Sequence, residues 1–271
     1  MIIELIIFLL FFYFCLFSVI GHGLIFQRII FKQINKKNNL DKNFLFTGFY
    51  GLMLLTIISF LTSYFLPHNQ LHNIILHFFG FSCFLYFSNF KNNSYIKYVL
   101  IISFLLLLSI FISKTHDDFS YYHFPFTKYL TEQHIIFGMG HINLGYNLIS
   151  SLFFLNSTFY LPLINYFSFH FSILYFLIFF NYFLAVNFFI KKNHKFIISL
   201  YLIIFIFFNL SFNRIAEFGT DKTGQLLIVL LVVYLLSLII SNTEENKVYK
   251  VLLLVPLLGF CITLKTYFIP Y

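Results

Sequence analysis

The sequence predicts an all-α, polytopic membrane protein of about eight transmembrane helices, with surface-lying helices in one large loop. Three observations predict it. Of the 271 residues, 60% are hydrophobic and only 10% are charged, against roughly 45–50% and about 25% in ordinary soluble domains. Mean hydropathy is +0.89, and the apolar residues run in long unbroken stretches, unlike the short alternating segments of a barrel. The basic residues gather in every second connection between those stretches.

Crossing the hydrocarbon takes about 20 helical residues. The first span, 3–26, opens on Met-Ile-Ile-Glu, with no basic region and no small-residue cleavage site after it, so it reads as a retained span. Gly21-His22-Gly23 lies at its end, where a histidine buried between helices is expected. Spans follow at 44–66, 71–88 and 98–113, the last two short enough to need tilt or flanking residues. The stretch 145–190 is too long for one span. A second crossing would move Lys191 and Lys192 to the opposite side, so the charge pattern favours one span at 163–190 after Pro162. Before it, Tyr146, Ser150, Ser151, Asn156, Ser157 and Thr158 give a helix suited to the membrane surface. Spans at 196–211, 224–241 and 250–268 complete the set, and the absence of a tail after Tyr271 suggests an incomplete chain. Residues 1–97 form an N-terminal three-span segment, and 98–271 a core built around the loop 114–162.

Twelve of the 17 Lys and Arg residues fall in the first, third, fifth and seventh connections. The positive-inside rule places these in the cytoplasm and the N-terminus outside. The net charge of +8 therefore belongs to short membrane loops facing the lipid bilayer, and nucleic acid is not an expected partner. The 44 Phe, with no Trp, accompany abundant Ile, Lys and Asn, a bias of AT-rich coding that argues against reading the rings as a cage. Cys15, Cys83 and Cys261 lie in apolar runs without ligand spacing and read as small core residues.

Chemistry concentrates on the outer side. Asp117 and Asp118 open the segment Lys114–Pro125 in a chain with only 9 Asp and Glu. Adjacent carboxylates at the end of a span repel each other, which marks a functional candidate. The plainer alternative is that one caps the helix starting after 118 and the other is solvated. Tyr122, His123, His116, His134 and His141 share the loop. Asp117, Asp118 and His116 could hold Mg²⁺ or Mn²⁺, which suit hard oxygen ligands, although no tight ligand motif is present. A second loop carries Arg214, Glu217, Asp221 and Lys222, which form either a local salt-bridge network or, with Lys265, a phosphate site.

These residues resemble the GT-C superfamily of integral-membrane glycosyltransferases, and within it a bacterial branch with an Asp-Asp…Tyr-His motif in a large outer loop. The resemblance covers about 98–225: an outward span, Asp117-Asp118, two surface helices near 119–131 and 145–158, and a returning span. It departs from the family in the three spans that precede the motif. It implies location in the bacterial inner membrane and transfer of a sugar from a polyprenyl-phosphate carrier to an unknown acceptor. In that chemistry Asp117 acts as base, Asp118 orients the acceptor or holds a cation, and Arg214, Lys222 and Lys265 meet the lipid phosphate. A transporter or flippase of a lipid-linked or anionic solute, or a non-catalytic membrane subunit, is the competing class. A transporter calls for ionisable residues near the midplane, and no Asp, Glu, Lys or Arg lies centrally in any expected span.

Overall fold

The computed structural model describes residues 2–31, 44–88, 94–111, 118–189, 194–211, 220–240 and 247–265, and these are helical without strands apart from an isolated bridge between Leu161 and Asn165. Four helical stretches are long and apolar enough to cross a membrane: 3–30, 44–62, 166–189 and 220–240. Three more apolar stretches, 95–111, 195–211 and 250–264, are shorter. The protein is thus a helical membrane protein, with the full set of eight crossings remaining an expectation.

α1 (Ile2–Phe31) is the longest helix. It packs along α2 (Thr47–Thr62) and α3 (Gln70–Phe87) at very close range. A Cβ on Gly21 would fall 1.9 Å from the Gly80 carbonyl oxygen, and one on Gly51 equally close to the Val19 carbonyl. Such backbone-to-backbone approach is how helices associate where lipid removes the hydrophobic drive between them. The expected buried histidine is found here: His22 has Nδ1 2.9 Å from the Ser18 carbonyl, and its ring lies over Gly80.

The buried face of α3 is polar: Asn73, His77 and Gly80, followed by Phe84. His77 Nε2 is 3.1 Å from the Thr158 carbonyl, which only accepts, so Nε2 carries the proton and Nδ1 accepts from the Ser18 hydroxyl at 3.1 Å. The Asn73 amide reaches the carbonyls of His68, Ser157 and Tyr160 at 2.8–3.0 Å. Ser157 donates its own hydroxyl to Phe154 at 2.8 Å, so its oxygen accepts from His68 Nδ1 at 2.6 Å. The other face of α3, with Ile75, Phe78 and Phe79, is exposed and apolar, as suits lipid.

α4 (Ser94–Leu106) tightens into a 3₁₀ turn at Leu107–Phe111. A π-turn at Phe119–His123 feeds α5 (Phe124–Glu132), with Pro125 in its first turn where no N–H is missed. α6 (Ser151–Ser157) is the second short helix of this region, and a 3₁₀ turn at Tyr166–His170 leads into α7 (Phe171–Phe189). α7 is apolar on all sides and almost wholly buried, the central post of the bundle. Around it stand α8 (Lys195–Ser211) and α9 (Thr220–Ile240), which begins four residues earlier than expected. The last expected span is broken into α10 (Lys247–Leu252) and α11 (Val255–Leu264) at Pro256. Proline removes a backbone donor there, and the Tyr50 hydroxyl donates to the carbonyl of Leu253. Cys15 and Cys261 are buried, Cys83 is half-buried, and all three are free thiols, as expected.

Two expectations follow. Gly21→Ala forces a backbone shift, so thermal unfolding in detergent should show a loss of about 1–3 kcal/mol, the usual cost of overpacking. Gly259→Ala, which has nothing within 4 Å of the new methyl, should be neutral. His68 sits at the α2–α3 corner, where burial first and the neighbouring His72 second push it down to about 3, only partly offset by a backbone hydrogen bond to Ser59. The folded state thus prefers the neutral ring. Stability is full above the unfolded value near 6.5 and falls between pH 6.5 and pH 3, by up to about 1.4 kcal/mol per unit. Replacing His68 with Asn should shrink the difference in melting temperature between pH 7.5 and pH 5; an unchanged difference would contradict this.

Candidate functional site

The π-turn is held in place from below and above. Beneath it, Phe126, Leu130, Met139, Phe153 and Phe154 form a small core of their own between α5 and α6. Above it, residues 139–148 fold back: the Asn143 amide donates to the Tyr121 carbonyl at 3.2 Å, and Gly145 lies flat on the Tyr122 ring. A Cβ on Gly145 would come within 2.7 Å of that ring, so only glycine permits the approach. The α2–α3 corner pins the far end, with the His68 amide donating to Leu130 and the Ile135 amide to Ser63, both at 2.8 Å.

On this platform Asp118 stands at the N-cap position in helical conformation, and its side chain makes no capping bond. Asp118 thus does not cap this turn, and its carboxylate lies near enough to Tyr122 for its charge to act on the phenol. Burial, then the charges of Asp118 and Asp221, push the Tyr122 phenol up from its ordinary value. The two carboxylates thus favour the neutral phenol.

Asp221 arrives from the first turn of α9, where a carboxylate suits the helix dipole. It forms an ion pair with Lys265, which follows the last residue of α11. The end of α11 is fastened in turn to the start of α6. Ser150 donates to the Leu264 carbonyl at 2.6 Å, and Ser151 to the Thr263 hydroxyl at 3.1 Å. Between these parts lies a cavity of about 200 Å³ with mixed walls: Tyr122, Asn147, Ser150, Thr220 and Lys265 bring polar groups, and Phe153 and Leu264 apolar ones. Ile149 and Thr263 line both this cavity and a second, apolar one of about 650 Å³ between α2, α6 and α11, where Phe60, Phe154 and Gly259 form walls.

Of the residues expected to act, the fold gathers Asp118, Tyr122, Asp221 and Lys265. Lys222 extends over the Phe207 ring on α8, 5.8 Å from its centroid, and does not line the cavity. His123 is buried beneath Tyr122 and Phe153. Asp117, His116, Arg214 and Glu217 lie outside the described residues. Among the described residues no three His, Cys, Asp or Glu side chains converge as a metal site. Asn147, Ser150, Thr220 and Thr263 escaped sequence reasoning because isolated hydroxyls and amides carry no motif. Only Ser150, which accepts from the Leu152 amide as an N-cap, had a local signal before an apolar run.

Neither the curated proteins nor the solved structures yield a match to this chain. A family described as a domain of unknown function (DUF8201) matches residues 1–271, and the chain belongs to that family.

Proposed function

We propose that this chain is a membrane glycosyltransferase of GT-C type, acting on a polyprenyl-phosphate-linked sugar at the outer face of a bacterial inner membrane. The observation that carries the reading is the junction of a small cavity that has polar groups with a larger, apolar one. The first, a chamber lined by Tyr122, Ser150, Thr220 and Lys265, the last paired with Asp221, meets the apolar groove through shared walls at Ile149 and Thr263. A lipid-linked sugar has the same division, with a charged phosphate between a sugar and a long hydrocarbon chain. The two short helices α5 and α6, following the acidic pair and preceding a fully buried helix, match the order that the resemblance calls for.

In the reaction, the acceptor hydroxyl loses its proton and its oxygen bonds to the anomeric carbon. The bond from that carbon to the phosphate oxygen breaks, and the electron pair leaves with polyprenyl phosphate. The charge of Asp118 acts on the neighbouring Tyr122 phenol. Asp118 orients the acceptor, and proton removal falls to the neighbouring Asp117. Lys265, which lines the chamber, meets the charge that develops on the leaving phosphate. Eight crossings with the N-terminus outside, the reading that the basic connections support, would set this chamber at the outer interface.

The test is release of polyprenyl phosphate from a panel of polyprenyl-phosphate hexoses by the purified chain in vesicles. Asp117→Asn should cut the rate about 10²–10⁴-fold, the usual loss on removing a general base. Tyr122→Phe and Asp118→Asn should each slow it less, and their double variant should be no worse than the worse single one, because both act on one contact. Full activity in Asp117→Asn, or independent effects of Tyr122 and Asp118, would contradict these roles.

A further inference from the structure

Lys265, which lines the chamber, already has an anionic partner, and it is the protein's own. Its ammonium is paired with the Asp221 carboxylate. That carboxylate lies in the first turn of α9, next to Thr220, whose side chain also lines the chamber and lies 3.3 Å from Asp221 Oδ1. A lysine, a hydroxyl and the positive end of a 21-residue helix are the elements of a phosphate site. Here a carboxylate fills it. An entering phosphate cannot reach Lys265 at full strength while Asp221 keeps it, and a free carboxylate beside a bound phosphate is repulsive.

We propose that Asp221 is a built-in competitor for the lipid phosphate, holding Lys265 in the empty site and exchanging places with the phosphate when a prenyl phosphate enters. This rests on the glycosyltransferase reading for the identity of the lipid, and on the chamber alone for the exchange. The swap replaces one anion at the ammonium by another, and the released Asp221 carboxylate, more than half exposed, is left to water. It also accounts for the position of the pair, since both side chains are about half exposed, at 41% for Lys265 and 58% for Asp221, and separate cheaply. After the exchange, Asp221 swings clear of Lys265 and remains near Tyr122, which already senses its charge.

The exchange is tested by equilibrium dialysis of radiolabelled farnesyl phosphate, and separately of inorganic phosphate, against the full chain in nanodiscs. Asp221→Asn should bind farnesyl phosphate about two- to fivefold more tightly, the factor that loss of an exposed ion pair sets. Lys265→Gln should bind it about tenfold more weakly, since a charge-assisted contact is lost. Adding Asp221→Asn to Lys265→Gln should tighten binding by less than Asp221→Asn does in the native chain, because the carboxylate competes chiefly through the ammonium and only its repulsion of the phosphate remains. Asp221→Ser must agree with Asp221→Asn, which guards against a folding artefact in either. Weaker or unchanged binding by both Asp221 variants overturns the proposal. If inorganic phosphate shows this pattern and farnesyl phosphate does not bind, the exchange stands and the lipid reading falls. If neither probe binds any variant, both fall.

Discussion

The polar corner where α3 meets the turn between α6 and α7 is the constraint on which the rest of the structure depends. A helix with only Asn73, His77, Gly80 and Phe84 buried has little apolar surface with which to hold a neighbour. Hydrogen bonds do that work instead, and in lipid an unmade one is costly because no water substitutes. Asn73 and His77 spend theirs on the carbonyls of Ser157, Thr158 and Tyr160. His68 adds Ser157 and, through its amide, Leu130. One corner thereby fixes both short helices, α5 and α6, against the bundle. The chamber above them exists because they cannot slide.

The second requirement is met at the opposite wall. α11 is short, begins at a proline break and would fray if left alone. Its end is fastened to α6 by Ser150 and Ser151, and to α9 by the ion pair of Lys265 with Asp221. The same contacts that close the helix end set the distance between the acidic and the basic sides of the chamber. Fold and site share these residues, so changes at Ser150 or Thr263 should disturb both.

The bundle was legible in the sequence wherever a run of apolar residues was long. The helices at 3–30, 44–62, 166–189 and 220–240 lie close to their expected places, because continuous hydrophobicity leaves a chain in lipid no alternative. The helix expected on the membrane surface at 145–158 is instead short and enclosed: α6 spans Ser151–Ser157, Leu152 to Thr158 are buried, and Asn156 and Thr158 find hydrogen-bond partners inside the bundle. Fine geometry failed as well. The π-turn at Phe119–His123 and the break at Pro256 depend on tertiary contacts, with Gly145 in the one case and Tyr50 in the other. Lys222 and Lys265 looked equivalent as charges. Only the helical phase of α9 turns Asp221 to Lys265 and Lys222 to Phe207. Tyr122 lies four residues after Asp118, a helical neighbour spacing, and what the sequence did not show is that a helical turn begins at Asp118.

The central claim is that a prenyl chain lies in the groove between α2, α6 and α11 while its phosphate enters the chamber. Photo-crosslinking with a prenyl phosphate that carries a benzophenone on its hydrocarbon, followed by peptide mapping, measures this directly. The account predicts adducts at Phe60, Phe154 and the α11 face around Gly259, all suppressed by excess unlabelled farnesyl phosphate. Adducts spread over the lipid-facing residues of α3, such as Phe78, without competition by farnesyl phosphate would contradict it.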